Sequence, residues 1–456
     1  MQVFNSLDNA SINIRFNHNG SALSERQFVN DINQVLAKIP QLPTKASAVL
    51  FNINSYDFAV NLFALAHKGW TIILPPNGQS ETLNALLEQT PYYLGDSDLV
   101  EHATTPFENI GNLTTTPNYT PLNKIAWPSE GNLVFYTSGS SGQAKPIFKS
   151  WRVLNKEIKT LNSTFALKRN PVFIASVSHQ HIYGLLFRVL WPLSNNHIID
   201  TDLLNYPEHI ATKLKTITQA VFISSPAQLK RLHQDNVLIE EKSHLQWIFS
   251  SGGPLQNEDA VTLNKQLNKP ITQVFGSTET GGIAYRQVVS LENVSHWQPF
   301  LGITLHSTSE QRLVLNSPLV EQTNYLLDDR GTLFQNGQFE LLGRFDRIIK
   351  LEEKRLSLDE LELHLCKSEW VQEAKVITLN GKRLVLGAVI VLTHKGQAYL
   401  NANGKLATNT LLKTHTLNRF EGICTPKKWR FINQLPYNTQ AKINLKVLES
   451  LFVKAD

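Results

Sequence analysis

The chain has 456 residues, 43 Lys+Arg against 38 Asp+Glu and 42% hydrophobic residues, an ordinary globular balance with length enough for more than one domain. A formal charge of +5 is too mild at this length to point to nucleic acid. No apolar run approaches the roughly 20 residues of a membrane span, MQVFNSLDNASINIRF lacks a signal peptide's apolar stretch, and Cys366 and Cys424 alone make neither a disulfide framework nor a zinc site, so the expectation is a cytoplasmic protein.

In chain order, SAVLFNI (47–53) reads as a strand, and YDFAVNLFALAHKG (56–69) carries apolar residues at helical spacing and ends on glycine. WTIILPP, NLVFYTSG, VFIASVS, AVFISSP, QWIFSSGG and ITQVFGSTE follow, mostly separated by helix-length segments. This alternation predicts a largely parallel sheet covered by helices. Small polar residues fall just after the strand-like runs, as TSGSSG, SSP, SSGG and GSTETGG. Ligands of open α/β sheets bind outside the carboxyl ends of the strands, so these four loops are expected to build one site at one sheet edge.

The first loop is the most specific. FYTSGSSGQAKPIFKS (135–150) sets Thr137, Ser138, Ser140 and Ser141 around Gly139 and Gly142, with Lys145 beyond them. Small residues admit a ligand close to the backbone, and amide and hydroxyl hydrogens suit phosphate oxygens. The spacing is not that of a Walker A loop, which needs Lys-Ser/Thr directly after its second glycine. A flexible serine-glycine linker is the plain alternative, disfavoured by the buried strand NLVFY before it.

The last quarter reads as a small α+β unit. Ser357-Leu-Asp-Glu360 is a capping-box pattern opening a helix, KRLVLGAVIVL is a strand, and KKWRFINQLPYNTQAKINLKVLESLF ends in a loop and an amphipathic helix.

Taken in order, these stretches resemble the acyl-adenylate-forming superfamily of acyl-CoA synthetases, peptide-synthetase adenylation domains and luciferases, over roughly residues 45 to 450. The resemblance implies an α/β fold: a large N-terminal adenylation domain (1–345) with mostly parallel sheets flanked by helices, and a small mobile α+β lid (346–456). It implies contacts from Thr137, Ser138, Ser140, Ser141 and Lys145 to the phosphates of ATP. SHQHIYGLL (178–186) is similar to the family's His-x-x-Gly segment, which puts His181 and Gly184 at the acyl pocket; a lone histidine is equally a satisfied core residue. SSGGPL lays Gly252 and Gly253 along the adenine, although a plain strand-to-helix turn has the same sequence. FGSTETGG sets Phe275 beside the adenine, Thr278 at the α-phosphate and Glu279 on Mg²⁺.

YLLDDRGTLFQNGQFELLGRFDRIIK (325–350) puts Asp329 at the ribose, where one carboxylate can accept from two adjacent hydroxyls. Arg344 assists there and Asp346 is the hinge; without the motif the two read as an ordinary surface ion pair. LPYNTQAKINL (435–445) carries the adenylation lysine, Lys442. The sequence departs from the family pattern at Pro146, Asp328, Glu353, Ala441 and Leu445.

The implied chemistry is an ATP- and Mg²⁺-dependent ligase. A carboxylate attacks the α-phosphorus, pyrophosphate leaves, and the acyl-AMP meets a thiol of CoA or phosphopantetheine. An acidic acyl carrier protein is the expected partner, because residues 346–456 hold 18 basic against 11 acidic residues. Lys149-Ser150-Trp151 looks like the ligases of aryl polyene pigment pathways, so an aryl acid is the first expectation and a medium-chain fatty acid the second. Two alternatives remain open here: an enzyme that stops at acyl-AMP or uses a non-thiol acceptor, and a non-catalytic scaffold that keeps the fold.

Overall fold

The computed structural model describes residues 14–18, 20–40, 46–101, 103–113, 121–124, 127–138, 144–167, 170–235, 237–351, 354–379, 384–437 and 443–453. They form two compact units, one of residues 1–295, 299–303 and 317–321, the other of 296–298, 304–316 and 322–456. The fold is α/β.

Two sheets organise the first unit. The six-stranded sheet runs Glu108–Asn109, Tyr92–Gly95, Ser47–Phe51, Thr71–Leu74, Asn132–Ser138, Ala144–Ser150, and every pair is parallel except the last. The nine-stranded sheet has a parallel centre in the order Ile271–Ser277, Leu245–Ser250, Ala220–Ser224, Val172–Ala175, Ile198–Leu203. Between them lies the helix Ser55–His67, which packs against strands of both sheets. Its sequence SYDFAVNLFALAH is apolar on nearly every side, so it has no solvent face to offer and is buried from Ser55 to Ala66 apart from Asp57.

Every strand foreseen in this unit is present, so local hydrophobic runs sufficed to locate them. Their assembly differs from the expectation in one respect. The loop after Asn132–Ser138 belongs to the six-stranded sheet, whereas those after Ala220–Ser224, Leu245–Ser250 and Ile271–Ser277 belong to the nine-stranded one. The four polar loops therefore come from two sheets and not one edge. Apolar runs reveal strands, but which strands pair is set by contacts between distant segments.

The second unit holds a four-stranded antiparallel sheet (Thr304–Ser307, Arg312–Asn316, Tyr325–Leu333, Phe339–Arg344). It also holds a two-stranded ribbon (Ile348–Leu351 with Lys354–Ser357) and a three-stranded sheet (Val371–Leu379, Val385–Leu392, Lys428–Phe431). Leu361, Leu365, Val376, Ile390, Leu412 and Trp429 are part of one buried cluster behind the latter. Helix Leu358–Cys366 starts where the capping pattern put it: the Ser357 hydroxyl accepts the Glu360 amide at 3.3 Å. The reciprocal arm does not form, since the Glu360 carboxylate meets Arg330 at 3.5 Å. Helix His394–Leu417 was not legible: HKGQAYLNANGKLATNTLLKTHTL has no apolar stripe, and Gly404 kinks it with φ 77°. Thr393 caps it and Thr408, Leu412 and Thr416 bury one side, so tertiary packing supplies what its sequence lacks.

One local device matters for the site. Strand Ala144–Ser150 runs directly into helix Trp151–Thr164, and the Ser150 hydroxyl accepts the Val153 amide at 3.3 Å as N-cap. Replacing Ser150 by Ala is expected to cost about 1 kcal/mol, read as a lower urea midpoint in the transition that exposes Trp151.

Candidate active site

Parallel register brings two strand ends of the nine-stranded sheet level and sets them beside a third strand, which runs on to Ser277. Ser224 pairs with Ser250, and Ser250 with Gln273. The turn after Ser250 is fixed by the Ser251 hydroxyl, which donates to the Val274 carbonyl at 2.9 Å. Gly252 and Gly253 follow, both exposed, and Gly252 has φ 90°, which favours glycine. SSGG thus lies tied to the strand that carries Phe275, which is half-buried.

That strand turns back on itself. Ile271–Ser277 and Gly281–Gln287 form an antiparallel hairpin in which Ser277 opposes Gly281, leaving Thr278, Glu279 and Thr280 as its tip. The Ser277 and Thr280 side chains hold the tip locally: the Ser277 amide donates to Thr280 Oγ1 at 3.1 Å, and the Thr280 amide to Ser277 Oγ at 3.2 Å. Thr278 and Glu279 are half-buried. Among the described residues the Glu279 carboxylate makes no hydrogen bond or ion pair. A single presented carboxylate suits Mg²⁺, which takes one or two protein oxygens and completes its shell with phosphate and water. In keeping with that, the described residues contain no cluster of three or more metal-ligating side chains.

Two buried charges grip this hairpin. Lys149 Nζ donates to the Glu279 carbonyl at 2.7 Å, and the Gly282 amide donates to Glu157 Oε1 at 2.7 Å. Burial lowers the Lys149 pKa, opposed by Glu157 and Glu279, and burial raises that of Glu157, opposed by the Gly282 bond and Lys149. Neither residue was singled out for its chemistry in the sequence. The available signal was Glu157 itself, a carboxylate within the apolar stripe Trp151, Leu154, Ile158, Leu161.

At the neighbouring strand end, Gly184 sits where a Cβ would come within 2.0 Å of the Ser178 carbonyl, so the glycine of the His-x-x-Gly segment is required by backbone packing. His181 is half-buried at the start of this turn. His179, two residues earlier, is the fully buried histidine of this segment: its ring lies 4.4 Å from Phe58, its Nε2 meets the Asn52 carbonyl at 2.9 Å, and burial holds its pKa well below the usual range. Arg188, fully buried on the following π-helical turn, donates to the Val177 carbonyl at 3.2 Å and the Thr201 carbonyl at 2.7 Å, anchoring this segment.

Of the phosphate-loop residues, Thr137 and Ser138 end strand Asn132–Ser138, and Thr137 pairs with the exposed Lys145 on the returning strand. Pro146 is accommodated because Ala144–Ser150 is the sheet's edge. Ser140 and Ser141 lie outside the described residues, as do Lys442, Glu353 and Ala441.

In the second unit, Asp329 pairs in register with Arg344 across two strands. Burial raises the Asp329 carboxyl to about 6, against the attraction of Arg344 and with the repulsion of Asp328, Asp346 and Asp359. Arg344 is held by Asp346 at 2.6 and 2.8 Å and reaches Asp328 at 3.5 Å; Asp346 and the other acids raise its pKa further. Asp328, where the family pattern has glycine, also meets Arg312 at 2.9 Å. A residue the sequence did not reveal, Asp359, accepts the Arg344 amide at 2.7 Å and pairs with Arg347 at 2.7 Å.

The comparisons agree with this geometry. The profile of the family described as AMP-binding enzyme matches residues 63–309. The chain belongs to that family. It is an ATP-dependent ligase that forms acyl-adenylates. The D-alanine–D-alanyl carrier protein ligase of Staphylococcus aureus (strain bovine RF122 / ET3-1) is 26% identical over 352 residues, 68% of this chain and 69% of that one. ATP-bound MatB from Rhodopseudomonas palustris superposes with a TM-score of 0.80 at 17% identity, over 99% of this chain and 97% of that one. The O-succinylbenzoate coenzyme A synthetase MenE of Bacillus subtilis, in complex with AMP, gives 0.78 at 16% identity, over 97% and 96%.

The Asp329 carboxyl makes a pH prediction. Its folded pKa of about 6 lies above the ordinary value of 3.8, so its contribution to stability is full below pH 3.8 and is lost as pH rises through about 6. Asp329→Asn removes this titration. Between pH 4 and 6.5 the wild type is expected to lose stability relative to the variant, measured as the difference in urea midpoints at each pH.

Proposed function

We propose that the enzyme activates an aryl carboxylic acid as its acyl-AMP and passes the acyl group to the phosphopantetheine thiol of an acidic carrier protein. The observation that carries the first half is the hairpin tip, which presents Thr278 and a Glu279 whose carboxylate has no hydrogen bond or ion pair among the described residues, in the strand next to the Gly252–Gly253 turn. In this reading the acid's carboxylate oxygen attacks the α-phosphorus and pyrophosphate leaves toward Thr137, Ser138, Ser140, Ser141 and Lys145. Mg²⁺, held by Glu279 with phosphate oxygens and water, offsets the repulsion between a carboxylate and a phosphate. The Thr278 hydroxyl donates to the α-phosphate. Gly252 and Gly253 lie along the adenine and Phe275 flanks it. Asp329 accepts from the ribose hydroxyls, with Arg344 beside it; hydrogen bonds to the charged carboxylate would bring its raised pKa back down. His181 and Gly184 border the acyl group. Lys442 adds positive charge in the adenylation step, and the lid formed by residues 346–456 turns about Asp346 between the two steps.

Two observations support the finer choices. The aryl choice rests on Lys149-Ser150-Trp151, which looks like the ligases of aryl polyene pigment pathways. The carrier rests on the staphylococcal relative's name and on charge. Residues 346–456 are net +7, and Lys405, Lys413 and Lys428 are exposed and unpaired among the described residues. Complementary fields of this kind speed encounter and orient the partner.

The test is pyrophosphate release from ATP with a panel of aryl and medium-chain fatty acids. Aryl acids are expected to give turnover, and release only with fatty acids would reject the aryl reading. Lys442→Ala should lower adenylation at least about a hundredfold, the scale on which single electrostatic contacts act in such steps, while ATP binding stays near wild type. Glu279→Gln should weaken the Mg²⁺-dependent step with an unchanged melting temperature; lost stability with normal turnover would make Glu279 structural.

The acceptor is decided by competition between CoA and a phosphopantetheine-bearing carrier at equal concentration. Preference for the carrier that fades with added salt is expected. Efficient transfer to CoA with indifference to the carrier would overturn that half of the reading.

A further inference from the structure

Two buried residues outside the hairpin, Lys149 and Glu157, hold the tip that carries Glu279. Lys149 is the last residue but one of strand Ala144–Ser150, on the edge of the six-stranded sheet, and Glu157 is two turns into the helix that follows. One continuous segment therefore touches the hairpin twice. Lys149 holds the tip by the carbonyl of Glu279 itself, and Glu157 holds its base by the Gly282 amide, both at 2.7 Å. Both side chains are out of water, with exposures of 4% and 5%.

The hairpin is shaped to receive them. A Cβ at Gly281 would stand 3.0 Å from Glu157 Oε2, and one at Gly282 would stand 3.4 Å from Oε1. Gly281 also has φ 70°. Glu157 Oε2 has no hydrogen-bond partner among the described residues, so its charge is not there to satisfy a local network. A buried ammonium and carboxylate are costly unless each is used, and here the contacts go to the backbone of one hairpin. The local Ser277–Thr280 bonds shape the tip but do not fix where it points; the Lys149 bond does, by tying it to the other sheet.

We propose that Lys149 and Glu157 are positioning residues that hold the 278–280 turn in one orientation, so that the Glu279 carboxylate and the Thr278 hydroxyl are presented to the metal-bound phosphates without reorganisation. Neither touches substrate. Groups fixed in advance contribute more to charge stabilisation than groups that must be ordered during the step. The proposal rests on the reading of Glu279 as the Mg²⁺ ligand, and Glu279→Gln tests that reading by itself.

The experiment compares wild type, Lys149→Met, Glu157→Gln and the pair Lys149→Met/Glu157→Gln, each alone and combined with Glu279→Gln. The pair removes both charges together and so leaves neither buried without its counterpart. Calorimetry gives the affinity for ATP in Mg²⁺ and in EDTA, and pyrophosphate release gives the Mg²⁺ concentration for half-maximal rate. In Lys149→Met and in the pair, ATP binding in Mg²⁺ should weaken and the Mg²⁺ requirement rise, each about tenfold, while affinity in EDTA stays within about twofold. Glu157→Gln keeps an oxygen for the Gly282 amide and should stay near wild type. Added to Glu279→Gln, the lysine substitution should have no further effect on either quantity, because its action runs through that carboxylate. A folded pair with wild-type Mg²⁺ response overturns the proposal, as does a loss fully additive with Glu279→Gln. Failure of the pair to fold also overturns it, since the charges would then hold the whole unit and not the turn. If Glu279→Gln itself leaves the Mg²⁺ response unchanged, the metal reading fails first.

Discussion

Lys149 crosses from the edge strand of the six-stranded sheet to the carbonyl of Glu279, on a hairpin of the nine-stranded sheet, with its ammonium out of water. The first unit's site depends on this bond. The helix Ser55–His67 packs against strands of both sheets, and apolar packing of that kind sets a distance between layers without fixing the direction of a turn at their rim. A directed hydrogen bond from a charged donor does fix it. The same segment that bears Lys149 also returns from the serine- and glycine-rich loop, so that loop's exit strand and the 278–280 turn, proposed to hold the metal, are parts of one arrangement.

Backbone accommodation recurs wherever a functional side chain is presented. Gly184 lets the turn after His181 close onto the Ser178 carbonyl, Gly281 and Gly282 let Glu157 approach the hairpin, and Gly343, with φ 102°, leaves room for Asp359. In each case the glycine admits a second group that then orients the side chain of interest. The second unit follows this logic with charge. Arg344 has its amide on Asp359 and its guanidinium on Asp346, which leaves Asp329 beside it, half-buried and with a raised pKa. A carboxyl in that condition is poised to gain from hydrogen bonds donated by a ligand.

Charge also separates the two halves of the reaction. The groups proposed for adenylation in the first unit are few, and the buried ones are satisfied by backbone. The basic excess lies in residues 346–456 and includes the exposed Lys405, Lys413 and Lys428, the feature on which the proposed carrier-protein acceptor rests. The family has one chemistry for making acyl-AMP and relatives named for different acceptors, a carrier protein and coenzyme A among them. What differs between such enzymes is expected at surfaces of this kind.

The sequence by itself determined the α/β class and seven strands of the first unit, though not Tyr92–Gly95, Ile198–Leu203 or Gly281–Gln287, and the identity of the residues at the ends of those seven. Those are local properties: apolar runs, small polar turns and their order along the chain. It also determined that Ser357 opens a helix, because a cap is satisfied within three residues. It did not determine that the polar loops belong to two sheets, that His179 is buried against Phe58 and the Asn52 carbonyl, or that Glu360 serves Arg330 and not its own helix end. Nor did it reveal Lys149, Glu157 and Asp359 as the groups that orient Glu279 and Arg344. Lys149 and Glu279 stand 130 positions apart. A lysine in an edge strand and a glutamate in a helix are unremarkable until folding removes both from water, and only then does the cost of burying their charges require the partners that give them a role.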